Sequence, residues 1–245
     1  MRIAKVPEQP WGRGVDDRVA ALELAAEARA RDLQAALDRQ TALLHELDHR
    51  VKNNLQLISS LVLMQARRSE DPAVREALNG MQERLAAMGV VHRRLFESDD
   101  LGRFDLADFV RDLTAELSGS SGRPEIAFAC DLAPARVSAA KAAPLALLIN
   151  ELLTNALRHA FPGRRPGRIF VRTAQSSRGL RIEIADDGVG EVDGRTTGGG
   201  SEQRFGLTIV ELLGRQLQAT ITRQNADPGV RVVVGLPLDS VRNGP

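Results

Sequence analysis

The sequence predicts an α+β protein: a long N-terminal helix running into a helical hairpin of the kind that pairs as a dimeric four-helix bundle, then a C-terminal α/β sandwich. Two observations carry this. Val19, Leu22, Ala26, Leu33, Leu37, Leu44, Leu47, Val51, Leu55, Ile58 and Val62 follow an approximate heptad seam, and no proline or glycine interrupts Asp16–Glu70. Beyond residue 104 the pattern changes to short alternating segments interspersed with separate helices.

Taken in order, residues 1–15 contain Pro7, Pro10, Gly12 and Gly14 and are expected to form a disordered leader. Residues 16–100 form the coiled-coil entry and the hairpin. Ser69-Glu70-Asp71-Pro72 breaks the first helix, with Asp71 as N-cap and Pro72 as first residue of the next. The second helix follows Val74, Leu78, Met81, Leu85, Met88, Val91 and Leu95. An apolar stripe of this length calls for a partner helix, so dimerisation through the hairpin is expected.

Residues 104–239 form the sandwich, and 240–245 a tail. Asp105 introduces a helix over Leu106–Leu117, and Ile126, Phe128 and Cys130 alternate as a strand. A strongly apolar helix covers Ala142–Phe161 and ends at Pro162-Gly163. Strands at Ile169–Ala174 and Leu180–Ala185 make one hairpin, and Thr220–Arg223 with Val230–Leu236 another. Between them lie a glycine-rich polar stretch, Glu191–Arg204, and a helix over Phe205–Leu217.

Composition excludes several classes. Lys+Arg number 33 against 32 Asp+Glu, so neither nucleic acid nor a membrane surface is an expected partner. The single cysteine, Cys130, rules out an internal disulfide framework and is expected to pack as a small hydrophobe. The longest apolar run, Ala142–Ile149, falls far short of the ~20 residues that a spanning helix needs. With no signal-peptide pattern at the N-terminus, a cytoplasmic location is expected.

Chemistry concentrates in two places. In Thr41–Leu55 the apolar stripe leaves His49 on the other side, with Glu46 three residues before it and Asn53 four after. Neutral imidazole is a competent nucleophile near pH 7, its unperturbed pKa being ~6.5. His49 is therefore the candidate phosphate acceptor. Asp48 and Glu46 are alternative candidates for orienting or deprotonating it, and Arg50 with Lys52 for stabilising phosphate.

The second place is the C-terminal half. Glu151 and Asn155 stand one helical turn apart, suited to a hard cation that bridges phosphates, and Arg158 and His159 follow a turn later. Asp186 ends a strand and precedes Gly188 and Gly190, where a carboxylate can accept the exocyclic amine of adenine. Gly206 is expected at a helix start, with free N–H groups aimed at an anion.

The order of these pieces resembles the sensor histidine kinases. NELLTNALRHA is similar to that family's N box, ADDGVG to its G1 box and RFGLTIVELLGRQL to a reduced G2 box, while Gly194–Glu202 falls where the family has its ATP lid. HELDHRVKNNLQLISSLVLMQAR resembles the phosphoacceptor helix of the HRXXN class, related to the HWE kinases, with His49, Arg50 and Asn53 on the defining positions. The only tryptophan is Trp11, so the Trp-x-Glu of the HWE subclass is missing.

The resemblance implies a Bergerat-type ATPase domain that uses ATP and Mg2+. Asn155 would ligate the metal with Glu151 in support. Asp186 would read adenine, Gly188 and Gly190 would shape its pocket, Gly206 would approach the phosphates, and His159 would face nucleotide; Arg158, by its place on the helix, can face phosphate oxygens. It further implies phosphoryl transfer from His49 to an aspartate of a response regulator, and an upstream sensor protein as a possible partner. The alternative is a histidine phosphotransferase adaptor whose ATP-binding domain has degenerated. A regulatory protein of the anti-sigma kind would not require the His49–Asn54 motif.

Overall fold

The computed structural model describes residues 11–96, 102–177, 179–190 and 201–237, and within these it leaves the side chains of 11–17, 19–21, 48 and 201–205 undescribed. The expected lid at Gly194–Glu202, the Ser98–Gly102 boundary, residues 1–10 and the 240–245 tail lie wholly or largely outside that description. The chain divides into two compact units, Met1–Val51 and Lys52–Pro245.

The first unit holds most of helix α1, Trp11–Arg68, which begins inside the leader expected to be disordered: residues 11–15 are helical, Gly12 and Gly14 included. Its apolar residues stand in solvent: Leu22, Leu33, Leu37 and Leu47 are all at least 49% exposed.

The second unit opens with the last turns of α1. The chain then breaks, and helix α2 spans Pro72–Phe96. Asp71 Oδ1 accepts the Ala73 N–H at 2.8 Å, a cap of the kind that stabilises a helix by about 1 kcal/mol. The hairpin is fastened by Ser59, whose hydroxyl donates to Gln82 Oε1 at 2.7 Å. The more extensive packing of α2 is on the following domain. Gly80, Ala87, Val90 and Val91 are its buried residues, and the last three join the core formed with Leu106, Phe109 and Leu148. Small residues on this face let α2 approach closely.

Strand β1 (Arg103–Asp105) pairs antiparallel with β3 (Arg136–Ser138). Between them lie helix α3 (Leu106–Ser120), capped by Asp105 on the Asp108 N–H, and strand β2 (Ile126–Leu132). Helix α4 (Ala139–His159) follows, then the hairpin of β4 (Gly167–Ser176) and β5 (Gly179–Asp186). Helix α5 (Ser201–Gln216) and the hairpin of β6 (Thr220–Asn225) and β7 (Val230–Leu236) complete it.

The five-stranded sheet has the order β2-β4-β5-β7-β6; β2 and β4 are parallel and the other pairs antiparallel. Every second residue of the inner strands is buried: Ile169, Val171 and Thr173 on β4, Leu180, Ile182, Ile184 and Asp186 on β5, Val232, Val234 and Leu236 on β7. The helices cover this one face. Leu145, Leu148, Ile149 and Leu153 of α4 have no exposed surface at all, so α4 is the centre of the core.

Cys130 departs from expectation. It is exposed, because β2 is an edge strand, and its sulfur lies 3.8 Å from the Thr114 hydroxyl.

Candidate active site

Asp186 is the last residue of β5, where the strand's period of two turns it towards the helices and Asp187 away from them. The two aspartates do different work. Asp187 Oδ1 accepts the Arg168 N–H at 2.6 Å and so ties the end of β5 to β4. Asp186 Oδ1 accepts N–H bonds from Gly188 at 3.0 Å and Val230 at 3.3 Å, which fix the carboxylate's orientation in the wall of a cleft. It is 8% exposed. Burial pushes its pKa up, and the two backbone N–H bonds act against that rise.

The turn after β5 fits only because of its glycines. A Cβ on Gly188 would lie 2.3 Å from the Ala160 carbonyl, which already receives the Val189 N–H. Gly190 has φ +71°, a conformation that side chains rarely adopt. Gly229 approaches Asp186 more closely still: its Cβ would lie 1.8 Å from the Asp186 carbonyl oxygen.

These groups border a cleft of about 360 Å³ between α4, α5 and the sheet, lined by Leu152, Asn155, His159, Asp186, Gly190, Leu207, Glu211 and Arg223 among others. Ile184, Val232 and Ile221 form its apolar floor, a composition that suits a planar base with a polar group at one end. His159 is half-buried at the wall. Burial first, and then the neighbouring Arg158 charge, hold its pKa below the usual histidine value, so it is neutral at pH 7.

Gly206 is not at a helix start. Helix α5 begins at Ser201, since Ser-Glu-Gln-Arg extends the helical segment backwards, so Gly206 sits in its second turn. The backbone N–H argument for anion binding therefore does not apply to it. Its closeness to the polar face of α4 takes that place: a Cβ there would stand 3.3 Å from Glu151 Oε2 and 3.5 Å from Asn155 Oδ1. A carboxylate oxygen and an amide oxygen thus converge beside one glycine, a donor set that fits magnesium.

Two other expected nucleotide contacts are engaged elsewhere. Glu151 is 4% exposed, and Arg84 of α2 grips it in a bidentate pair, Nε to Oε1 at 2.7 Å and Nη2 to Oε2 at 2.9 Å. Arg158 Nη2 donates to Glu83 Oε2 at 2.6 Å. Neither Glu151 nor Arg158 lines the cleft. The contributions of Arg84, Glu83, Val230, Gly229, Glu211 and Arg223 to this region had no sequence signal, apart from the inward parity of Arg223 on its strand.

In the first unit His49 and His45 are both exposed. Glu46 Oε1 is held by Arg50, with Nε at 3.0 Å and Nη2 at 2.6 Å. The candidate base and the candidate phosphate-stabilising group thus neutralise one another, in a solvent-exposed pair worth little to stability. The side chain of Asp48 lies outside the described residues. Asn53, at the start of the second unit, is exposed. No helix among the described residues is long and apolar enough to cross a membrane.

A mixed sheet covered on one face by helices, with an Asp at a strand end facing an Asn on the central helix, defines a GHKL-type nucleotide-binding domain. Comparison with known proteins agrees. The histidine kinase family profile matches residues 46–121, and that of the histidine kinase-, DNA gyrase B- and HSP90-like ATPases matches residues 140–240. The sensor histidine kinase PdtaS of Mycobacterium tuberculosis is 30% identical over 217 residues, covering 86% of this chain and 42% of the relative. Blue-light-activated histidine kinase 2 of Erythrobacter litoralis is 29% identical over 220 residues, covering 86% and 61%. The solved histidine kinase domain of a blue-light-activated kinase from Erythrobacter litoralis superposes with a TM-score of 0.59 at 27% identity, covering 84% of this chain and 94% of that one. The chain belongs to the histidine kinases and carries the GHKL-type ATP-binding domain. It spans less than half the length of PdtaS.

Proposed function

We propose that this chain is the kinase core of an ATP-dependent protein-histidine kinase that phosphorylates its own His49. The observation that supports this most is the convergence of Asp186, Asn155 and His159 on one apolar-floored cleft, in a chain that also carries an exposed histidine in an H-R-x-x-N helix. Asp186 accepts the exocyclic amine of adenine, and the floor of Ile184, Val232 and Ile221 takes the ring. Asn155 and Glu151 would hold Mg2+, which would supply charge neutralisation on the transferred phosphoryl group. A ring nitrogen of His49 attacks the γ-phosphorus, the N–P bond forms as the bond to the β-bridging oxygen breaks, and ADP leaves. The ring proton passes to solvent or to a carboxylate, with Asp48 and Glu46 as candidates. Glu46 is held by Arg50 through one oxygen, Oε1.

The phosphoryl group then passes to an aspartate of a response regulator receiver domain. Exposed Leu57, Ile58, Leu61 and Met64 on α1, with Met81 and Met88 on α2, support pairing of two copies through the hairpin. Lack of a spanning helix among the described residues is consistent with a cytoplasmic site of action, with an upstream sensor as partner. The test is incubation of the chain with γ-labelled ATP and magnesium. Acid-labile, alkali-stable label is expected on the wild type and absent from His49→Ala and Asn155→Ala. Label that persists in His49→Ala overturns the assignment. ATP binding separates the kinase from a phosphotransferase adaptor, which would take label only from a phosphorylated regulator.

A further inference from the structure

Helix α2 meets α4 through two crossed ion pairs. Arg84 holds Glu151, and the adjacent Glu83 holds Arg158. Opposite charges at neighbouring positions of α2 therefore seize opposite charges one and a half to two turns apart on α4. The Arg84–Glu151 pair is the more buried, with side chains 18% and 5% exposed, against 27% and 36% for Arg158–Glu83. Both α4 residues belong to the segment expected to serve nucleotide, and both are withheld from the cleft.

We infer that Arg84 and Glu83 form an inhibitory latch that competes with magnesium-nucleotide for Glu151 and Arg158. This rests on the proposed nucleotide role of those two residues. A buried carboxylate must have a positive partner, and Arg84 supplies one by bidentate hydrogen bonding. Glu151 Oε2 and Asn155 Oδ1 both flank Gly206, so a cation shared between them competes with the guanidinium that Oε2 already holds. Glu83 neutralises Arg158 in the same way, so that its charge is not available to phosphate oxygens. Linkage makes the effect reciprocal: nucleotide loosens α2, and release of α2 tightens nucleotide by the same factor. A signal that shifts the helical hairpin thereby reaches the nucleotide site without touching it.

The experiment is calorimetric titration of the full chain with ADP, with and without magnesium, for wild type, Arg84→Gln, Arg84→Lys and Glu83→Gln. Amide exchange of residues 72–96 is followed in parallel. Arg84→Gln is expected to tighten magnesium-ADP binding about fivefold or more, with a smaller gain for Glu83→Gln at the more exposed pair. Arg84→Lys keeps the charge but loses the fork, and falls between Arg84→Gln and wild type. Saturating wild type with magnesium-ADP speeds exchange in residues 72–96. Affinity that is unchanged or weaker in both Arg84→Gln and Glu83→Gln, with the wild-type melting temperature retained, overturns the latch and makes the pairs structural. Should Arg84→Gln fail to fold, Glu83→Gln and the exchange experiment decide by the same criteria. A wild type that binds no ADP at all overturns the nucleotide role itself, a different result from binding that ignores the latch.

Discussion

Asp186 has two pH dependences of opposite sign. Burial raises its pKa above the ordinary 3.8, and a carboxyl with a raised folded-state pKa stabilises the fold in its protonated form. That contribution is complete below the unfolded value and is lost as pH rises through the folded one. Base recognition needs the ionised form, so nucleotide affinity falls as pH drops through the same folded value. Asp186→Asn is expected to flatten the stability loss as pH rises above 3.8 while weakening ATP binding at neutral pH; melting curves and titrations from acid to neutral pH check both. His159 runs the other way: its depressed pKa contributes stability above 6.5 that is lost as pH falls through the lower folded value. Asn150 offers a plain stability test. It is 1% exposed, and among the described residues neither amide atom has a hydrogen-bond partner. An unmet buried amide costs about 1–3 kcal/mol, so Asn150→Leu, which keeps the branched shape without the polar atoms, is expected to raise the melting temperature.

At the scale of elements, α4 and α5 explain why Gly206 is glycine. Alanine is favoured over glycine within a helix by about 1 kcal/mol, yet a Cβ here would crowd Glu151 and Asn155. Gly206→Ala is therefore expected to keep or raise the melting temperature while weakening magnesium-ATP binding roughly tenfold, since a misplacement of about 1 Å at a site can cost far more. Loss of stability with unchanged binding would show that the glycine serves packing instead. Helix α4 carries the greatest share of the core, and Leu153 has no exposed surface. Leu153→Ala is expected to cost about 2–5 kcal/mol by denaturant titration.

For the whole molecule, every buried apolar residue described lies at Ala66 or later. A fragment starting at Lys52 therefore retains the core and is expected to bind ATP with near-native affinity while taking no label, since His49 is outside it. Failure of that fragment to fold would show that the first unit supports the second. Much of this organisation was legible in the sequence. The heptad seam ran on without glycine or proline, Asp71-Pro72 marked a cap, and strand parity put Ile169, Val171, Ile182 and Ile184 inside. The start of α5 was less legible, because a glycine-rich stretch merges into Ser201–Arg204, whose residues are tolerated equally in loop and helix. The docking of α2 was not legible either: its small residues Gly80 and Ala87 carry little weight in an apolar pattern, though they decide how closely it packs.

What the sequence determined by itself is local or ordered along the chain: helical and strand periods, caps, the H-R-x-x-N segment, and the succession of Glu151/Asn155, Asp186-x-Gly-x-Gly and Gly206. Such features depend on spacing within one or two turns, or on which side of a strand a residue faces. Only the tertiary structure decided which partners these residues hold. It turned Asp186 into the cleft and left Asp187 to join two strands. It set Gly206 inside a helix against Glu151 and gave Glu151 and Arg158 to α2 across separations of 67 and 75 residues. The physical reason is that a charged side chain presents the same signal in sequence whether its counter-ion is a metal, a phosphate or another side chain. Burial and distance choose among them, and both exist only once the chain is packed.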